Sequence, residues 1–271
     1  CNDEYIGDYL MGKSKDLATG AAYQDQTESD TRYVNTAGDT MTGNLAINNA
    51  SGSQVTLHRT DTTIANDDLY GQIILSGDDA DTNASGTRGY IRGRSQGSGG
   101  GLKMEFGTAG GGVAMGSDPR MTINADGIVT KPNQPMFKAS INTSAASPRT
   151  TTNTIYVTPY DTTQLNVGNH YSTSTYKFTA PVAGNYFFSI SQNKIGKVIV
   201  YFYKNGNVFH AGEFLQDSHP DWEHCTISCI IPMAASDYVE ARSRLNNNSN
   251  TQYGFNGGST TWDSFSGYLL G

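Results

Sequence analysis

Four groups of residues in this chain have types and spacings that could do chemistry. Gly7-Asp8-Tyr9-Leu10-Met11-Gly12-Lys13-Ser14 has the spacing of a phosphate-binding loop. Such a loop needs a strand before it and a helix after it, so that backbone amides surround the phosphates. Lys15–Gly20 stops any helix early, and Tyr9, Leu10 and Met11 stand where small residues belong. The spacing is a coincidence. His219-Pro220-Asp221-Trp222-Glu223-His224-Cys225 collects several metal-ligand types, but Pro220 breaks their spacing and neither a zinc helix nor a paired-cysteine knuckle is present. It reads as a surface loop or as a metal or receptor contact, with Trp222 available for the latter.

Arg88, Tyr90, Arg92 and Arg94 share one face if the stretch is a strand. Pairing with Asp67, Asp68, Asp78, Asp79 and Asp81 is one outcome, and binding of an anionic polysaccharide is another. Tyr253, Phe255 and Trp262 lie in Asn246–Asp263, a polar segment rich in Asn and Gly. Rings stack on pyranose faces and amides bond sugar hydroxyls, so this segment suits sugar recognition. It would equally suit a loop folded over the end of a β domain. The remaining histidines, His58, His170 and His210, join no motif. No carboxylate pair stands out as a glycosidase pair, and no long β-helical repeat is visible. The chain is therefore expected to be no enzyme and to carry no cofactor, and no metal ligand is assigned.

The elements that must position these residues are β-strands. The chain is Gly-, Thr-, Ser- and Asn-rich, with 16 tyrosines and 36% apolar residues. That is thin for one large core, and it suits turn-rich β structure that buries apolar surface between chains. The net charge of −7 argues against nucleic-acid binding, which needs a clustered positive face. No apolar run is long enough for a spanning helix, so membrane insertion is not expected. Starting on Cys1, the sequence is expected to be a processed product or a fragment, and the lack of a leader excludes nothing. Cys225 and Cys229 would point the same way from one strand, roughly 13 Å apart at about 3.3 Å per residue. That is too far for a disulfide, and both read as small buried hydrophobes.

Three regions follow. Residues 1–37 have no clear period and are expected to be an extended arm or short helix that needs a partner. Residues 38–131 alternate short strands (Gln54–His58, Gly71–Leu75, Gly89–Arg94, Leu102–Phe106, Arg120–Ile123) with glycine turns, and three such chains wound together could share one narrow core. Lys131-Pro132-Asn133-Gln134-Pro135 is a stiff boundary. Residues 136–271 hold strand candidates Phe137–Ile141, Thr154–Thr158, Tyr176–Ala180, Tyr186–Gln192, Val198–Lys204, Val208–Phe214, His224–Ile231, Tyr238–Arg244 and Ser264–Leu270. In Val198–Tyr203 both faces are apolar or aromatic, which fits a strand covered on both sides. Asn205-Gly206 closes a tight hairpin.

Tyr176–Phe188, Lys204-Asn205-Gly206, Asp237-Tyr238-Val239 and the Phe265–Leu270 ending resemble, in order and spacing, the globular head of complement C1q. That family builds ten-stranded jelly rolls of the tumour-necrosis-factor type that trimerise about a threefold axis. The resemblance implies that Phe178, Tyr186, Phe188, Tyr201, Phe202, Tyr203, Phe265 and Tyr268 pack the core and the trimer. Some members bind calcium, but no ligand set can be placed here. Gly38-Asp39-Thr40-Met41-Thr42-Gly43-Asn44-Leu45 resembles a segment that recurs in bacteriophage tail fibres, and Arg120–Val129 resembles their shaft-to-head region.

The expected fold is all-β: an extended arm, an intertwined trimeric shaft of short strands, and a jelly-roll head. The implied function is that of an extracellular virion fibre, a homotrimer. Its arm would meet tail or adaptor proteins, and its head would meet host polysaccharide or protein during adsorption. Tyr253, Phe255, Trp262 and Trp222 are the candidate receptor contacts. A decoration fibre without a receptor role, a fibre-borne polysaccharide hydrolase and a secreted lectin are the alternatives. The last leaves Gly38–Asn49 unexplained.

Overall fold

The computed structural model describes residues 44–80, 85–110, 118–142, 153–194, 197–214, 223–245 and 262–271. The chain divides into two units, Cys1–Thr56 and Leu57–Gly271. In the first, the described residues form no strand. A turn at Asn49 is closed by its side chain, which accepts from Ser51 N at 2.8 Å. Leu45 and Val55 are exposed. The expected strand Gln54–His58 is irregular: Gln54 folds back onto Thr56, Nε2 to Oγ1 at 2.8 Å. Alternation alone does not make a strand without a partner edge. The arm at 1–37, with the Gly7–Ser14 motif, lies outside the described residues.

The second unit is all-β, and among its described residues there is no helix. A first sheet runs in simple order through β1 (Leu69–Gly77), β2 (Gly86–Gln96), β3 (Gly101–Thr108), β4 (Met121–Ile123) and β5 (Val129–Thr130), all antiparallel. Its two faces differ sharply. Register places Ile73, Ile91, Phe106 and Met121 in one row, and Gly71, Gly93, Met104, Ile123 and Val129 in the next. The other face carries Arg92, Arg94, Lys103 and Glu105.

After Lys131–Pro135 the chain enters a two-sheet jelly roll. One sheet has the order β14 (Glu223–Met233), β11 (Gly184–Lys194), β16 (Ser264–Leu269), β6 (Met136–Ser140) and β8 (Thr162–Val167). The other has the order β13 (Asn207–Phe214), β12 (Val198–Lys204), β15 (Tyr238–Leu245), β10 (Lys177–Thr179) and β9 (Tyr171–Ser172). A three-residue β7 (Ile155–Val157) is an addition to these ten. It pairs with Arg242–Arg244 of β15, next to the stretch Tyr238–Glu240 that β10 occupies.

The core lies between these two sheets. Phe137, Phe178, Tyr186, Phe188, Phe202 and Phe265 are essentially inaccessible to solvent. Their rings pack at centroid distances of 4.8–6.4 Å, from Phe137 stacked on Tyr171 to Phe202 beside Phe265. Such pairs add to the burial of large apolar areas. Gly267 belongs to this packing, because a side chain there would run into the Phe188 ring. Cys225 lies in the core and Cys229 is half-buried against it. Burial pushes the Cys229 thiol up to about 11.

Tyr201, Tyr203 and Tyr268 point away from this core. Tyr201 and Tyr203 are nevertheless buried at 7% exposure each. Tyr203 stacks edge-on to Tyr201 and under the Arg242 guanidinium, 4.2 Å from its ring centroid. The aromatic row of β12 is thus covered inside by phenylalanines and outside by the arms of β15. Tyr268 is 44% exposed and packs on Phe187.

Candidate functional site

Strand register fixes the two ends of the head. Met136, Gly184, Met233, Lys204 and Tyr238 lie at the end where the chain enters from Lys131–Pro135. Ser140, Lys194, Val198, Phe214, Leu245 and Ser264 lie at the opposite, distal end. Segments 143–152, 195–196, 215–222 and 246–261 connect strand ends on the distal side. They lie outside the described residues, and with them Trp222, Tyr253, Phe255 and His219.

Trp262 is described, and it stands at the distal end with 51% of its surface exposed. Its backbone is held on both sides. The Trp262 carbonyl lies 3.2 Å from His224 Nε2. The next residue, the fully buried Asp263, accepts the Asn193 amide at 2.7 Å through Oδ1. This carboxylate joins the start of β16 to the end of β11. Beneath it, Gln192 Nε2 donates to Thr158 Oγ1 at 3.2 Å, and Thr158 bonds Ser243 at 3.1 Å. The distal end is thus closed by a buried polar network, which rigidifies when its members are satisfied.

Ser191 Oγ lies 3.0 Å from His224 Nε2 and 3.0 Å from Thr226 Oγ1. The same Nε2 lies 3.2 Å from the Trp262 carbonyl, so the imidazole tautomer sets which of the two oxygens it bonds. Among the described residues, no three His, Cys, Asp or Glu side chains gather to hold a metal.

The outward face of the first-named head sheet is arranged in cross-strand rows. Ile230, Phe187, Tyr268, Met136 and Val167 form an apolar row near the entry end. The next row is Ser228, Ser189, Ser266, Lys138 and Leu165. The row after it is Thr226, Ser191, Ser264, Ser140 and Thr162, followed by His224 and Asn193. Hydroxyls therefore increase toward Trp262. The spacings Ser189-x-Ser191, Thr226-x-Ser228 and Ser264-x-Ser266 would have marked this face in the sequence. Only the pairing of three distant strands aligns them.

The basic stretch of β2 has become an ion-pair network. Arg92 Nε lies 2.6 Å from the buried Glu105 carboxylate, with Arg94 at 3.7 Å and Lys103 at 3.3 Å. Lys103 also pairs with Asp67. Asp67 was an expected partner. Glu105, which takes most of the charge, was not. Arg88 donates to Gly110 O at 2.9 Å.

Residues 136–270 match the family model of the C1q domain. This part of the chain is a C1q domain. Among solved structures, the globular domain of zebrafish complement 1qA protein aligns with the chain at 12% identity and a TM-score of 0.41. That alignment covers 51% of this chain and 98% of that one. No curated protein matches the chain. C1q domains are binding and structural domains, not enzymes, and generally form trimers.

Proposed function

We propose that the chain is the subunit of a homotrimeric extracellular fibre, a phage tail fibre, whose C1q head contacts the host cell surface through its distal end. The observation that carries this reading is the position of Trp262. It is an exposed aromatic whose backbone carbonyl meets His224 Nε2 and whose neighbour Asp263 is anchored to the Asn193 amide, at the end of the head opposite the chain's entry. An exposed indole on an anchored backbone offers its face to a sugar ring. The hydroxyl rows beside it supply donors and acceptors for the sugar's edge. Trp222, Tyr253 and Phe255 belong to segments joined to the same end. The Gly38–Leu45 string supports the assignment to a virion fibre. Three copies of a weak site gain affinity by avidity.

The test is saturable binding of the full chain to a panel of bacterial cells, with the mass of the particle measured in the same sample. Trp262→Ala should weaken binding at least tenfold, about 1.4 kcal/mol, while the particle keeps its mass. Full binding by Trp262→Ala would remove the distal end from the contact.

A further inference from the structure

The first sheet of the second unit is built inside out. Its ionic face is paired largely within the chain: Glu105 is 4% exposed among Arg92, Arg94 and Lys103, and the turn at Asp67 closes onto it. Arg94 Nη1 donates to the Asp67 carbonyl at 2.5 Å. Tyr90, on the same face, is buried under the Arg92 guanidinium, 4.0 Å from its centroid. The opposite face has no charged residue in the β1–β5 register, and it is open. Ile73 is 54% exposed, Leu75 61%, Ile91 41%, Leu102 43% and Val129 51%. Even its glycines are filled level, since Leu57 lies over Gly71 and Leu102 beside Gly93.

A sheet buries its apolar face and wets its charged one unless something else covers the apolar side. A contiguous apolar face of this kind marks a contact surface. We infer that this face is the seam between copies of the chain, so that the β1–β5 sheets of a trimer enclose a shared apolar core and turn their ionic faces outward. The occupant follows from connectivity. Only Lys131–Pro135 separates β5 from β6, the first strand of the C1q domain. C1q domains generally form trimers, and heads joined in one particle hold three such sheets within a short tether of one another. That raises their effective concentration far above that of any free partner. The inference rests on the homotrimer proposed above and adds the surface that the shaft uses.

The test uses the full chain with Ile91→Cys or, separately, Leu75→Cys. Gln72→Cys, exposed on the ionic face, is the control, and the unsubstituted chain gives the thiol background. Each is sized by mass and treated with a short bis-maleimide. Facing thiols held at millimolar effective concentration should give on the order of a hundredfold more cross-linked dimer at Ile91 and Leu75 than at Gln72. A particle of trimer mass with no cross-link at either position overturns the seam and leaves the trimeric head standing. That holds equally if the two thiols resist labelling, because the chain's own segments would then be the cover. A monomeric particle overturns both the seam and the homotrimer.

Discussion

The tightest constraint on single residues lies where ring and glycine meet. A Cβ at Gly267 would overlap the Phe188 ring and stand 3.0 Å from Phe137 Cε1. Neither ring can retreat, because both are fully packed. Gly267→Ala is therefore expected to cost about 1–3 kcal/mol, read as a lower midpoint in denaturant with an unchanged slope. Asp237 is a second such point. Its carboxylate accepts from Asn205 Nδ2 at 2.7 Å and from Ala234 N at 2.8 Å, and Lys204 Nζ lies 3.0 Å away. These bonds, the one from Asn205 foremost, lower its pKa to about 2. A carboxyl whose folded pKa is depressed stabilises above its unfolded value, near 3.9, and the contribution is lost as pH falls toward the folded value. The melting temperature should drop between about pH 4 and about pH 2, and Asp237→Asn should drop less steeply there. Parallel curves for the two proteins would show that the turn does not depend on this charge.

At the scale of elements, much was legible because side-chain period and turn chemistry act locally. The β12–β13 hairpin was announced by Asn205-Gly206, and both residues adopt positive φ, 50° and 80°, as a two-residue primed turn requires. Strands β11, β12, β14, β15 and β16 were marked by apolar positions two apart. Strands β5, β8 and β9 were not, since a two-residue edge strand is too short to show a period and β8 opens on three polar residues, Thr162, Thr163 and Gln164. The candidate site was half legible. Trp262 was named from its type, but Asp263 and Ser191 act through partners 70 and 35 residues away, which only the fold supplies. The outer side of β12 shows the same limit. Its tyrosines suggested an aromatic core, whereas Arg242 covers Tyr203 while its Nε bonds the buried Glu240 at 2.9 Å. Arg242→Met keeps the apolar cover but strands that carboxylate, so a loss of roughly 3 kcal/mol is expected. Adding Glu240→Gln should recover much of it, measured by a double-mutant cycle in denaturant. Equal losses in the single and double variants would mean that Arg242 acts by packing alone.

At the scale of the molecule, one question separates a folded head from an assembled one. The family resemblance assigned Phe188 and Phe202 to the core and the trimer together. Both are completely buried within one chain. A charge there leaves an unpaired ion in the core and prevents folding, which says nothing about assembly. The apolar row Ile230, Phe187, Tyr268, Met136 and Val167 is the better place to ask. It crosses all five strands of one sheet, and Ile230 and Tyr268 are 56% and 44% exposed. Ile230→Glu puts its charge in solvent in the lone chain, so the head should keep its β-sheet spectrum and cooperative melting. In a trimer that buries the row, the same charge is desolvated without a partner at three symmetric places at once. The expected particle is then a folded monomer or one with far weaker self-association, seen by mass-based sizing across a dilution series. Phe188→Glu should instead give unfolded or insoluble chain. A trimer of native mass from Ile230→Glu would remove the row from the interface and move the head's contact to another surface.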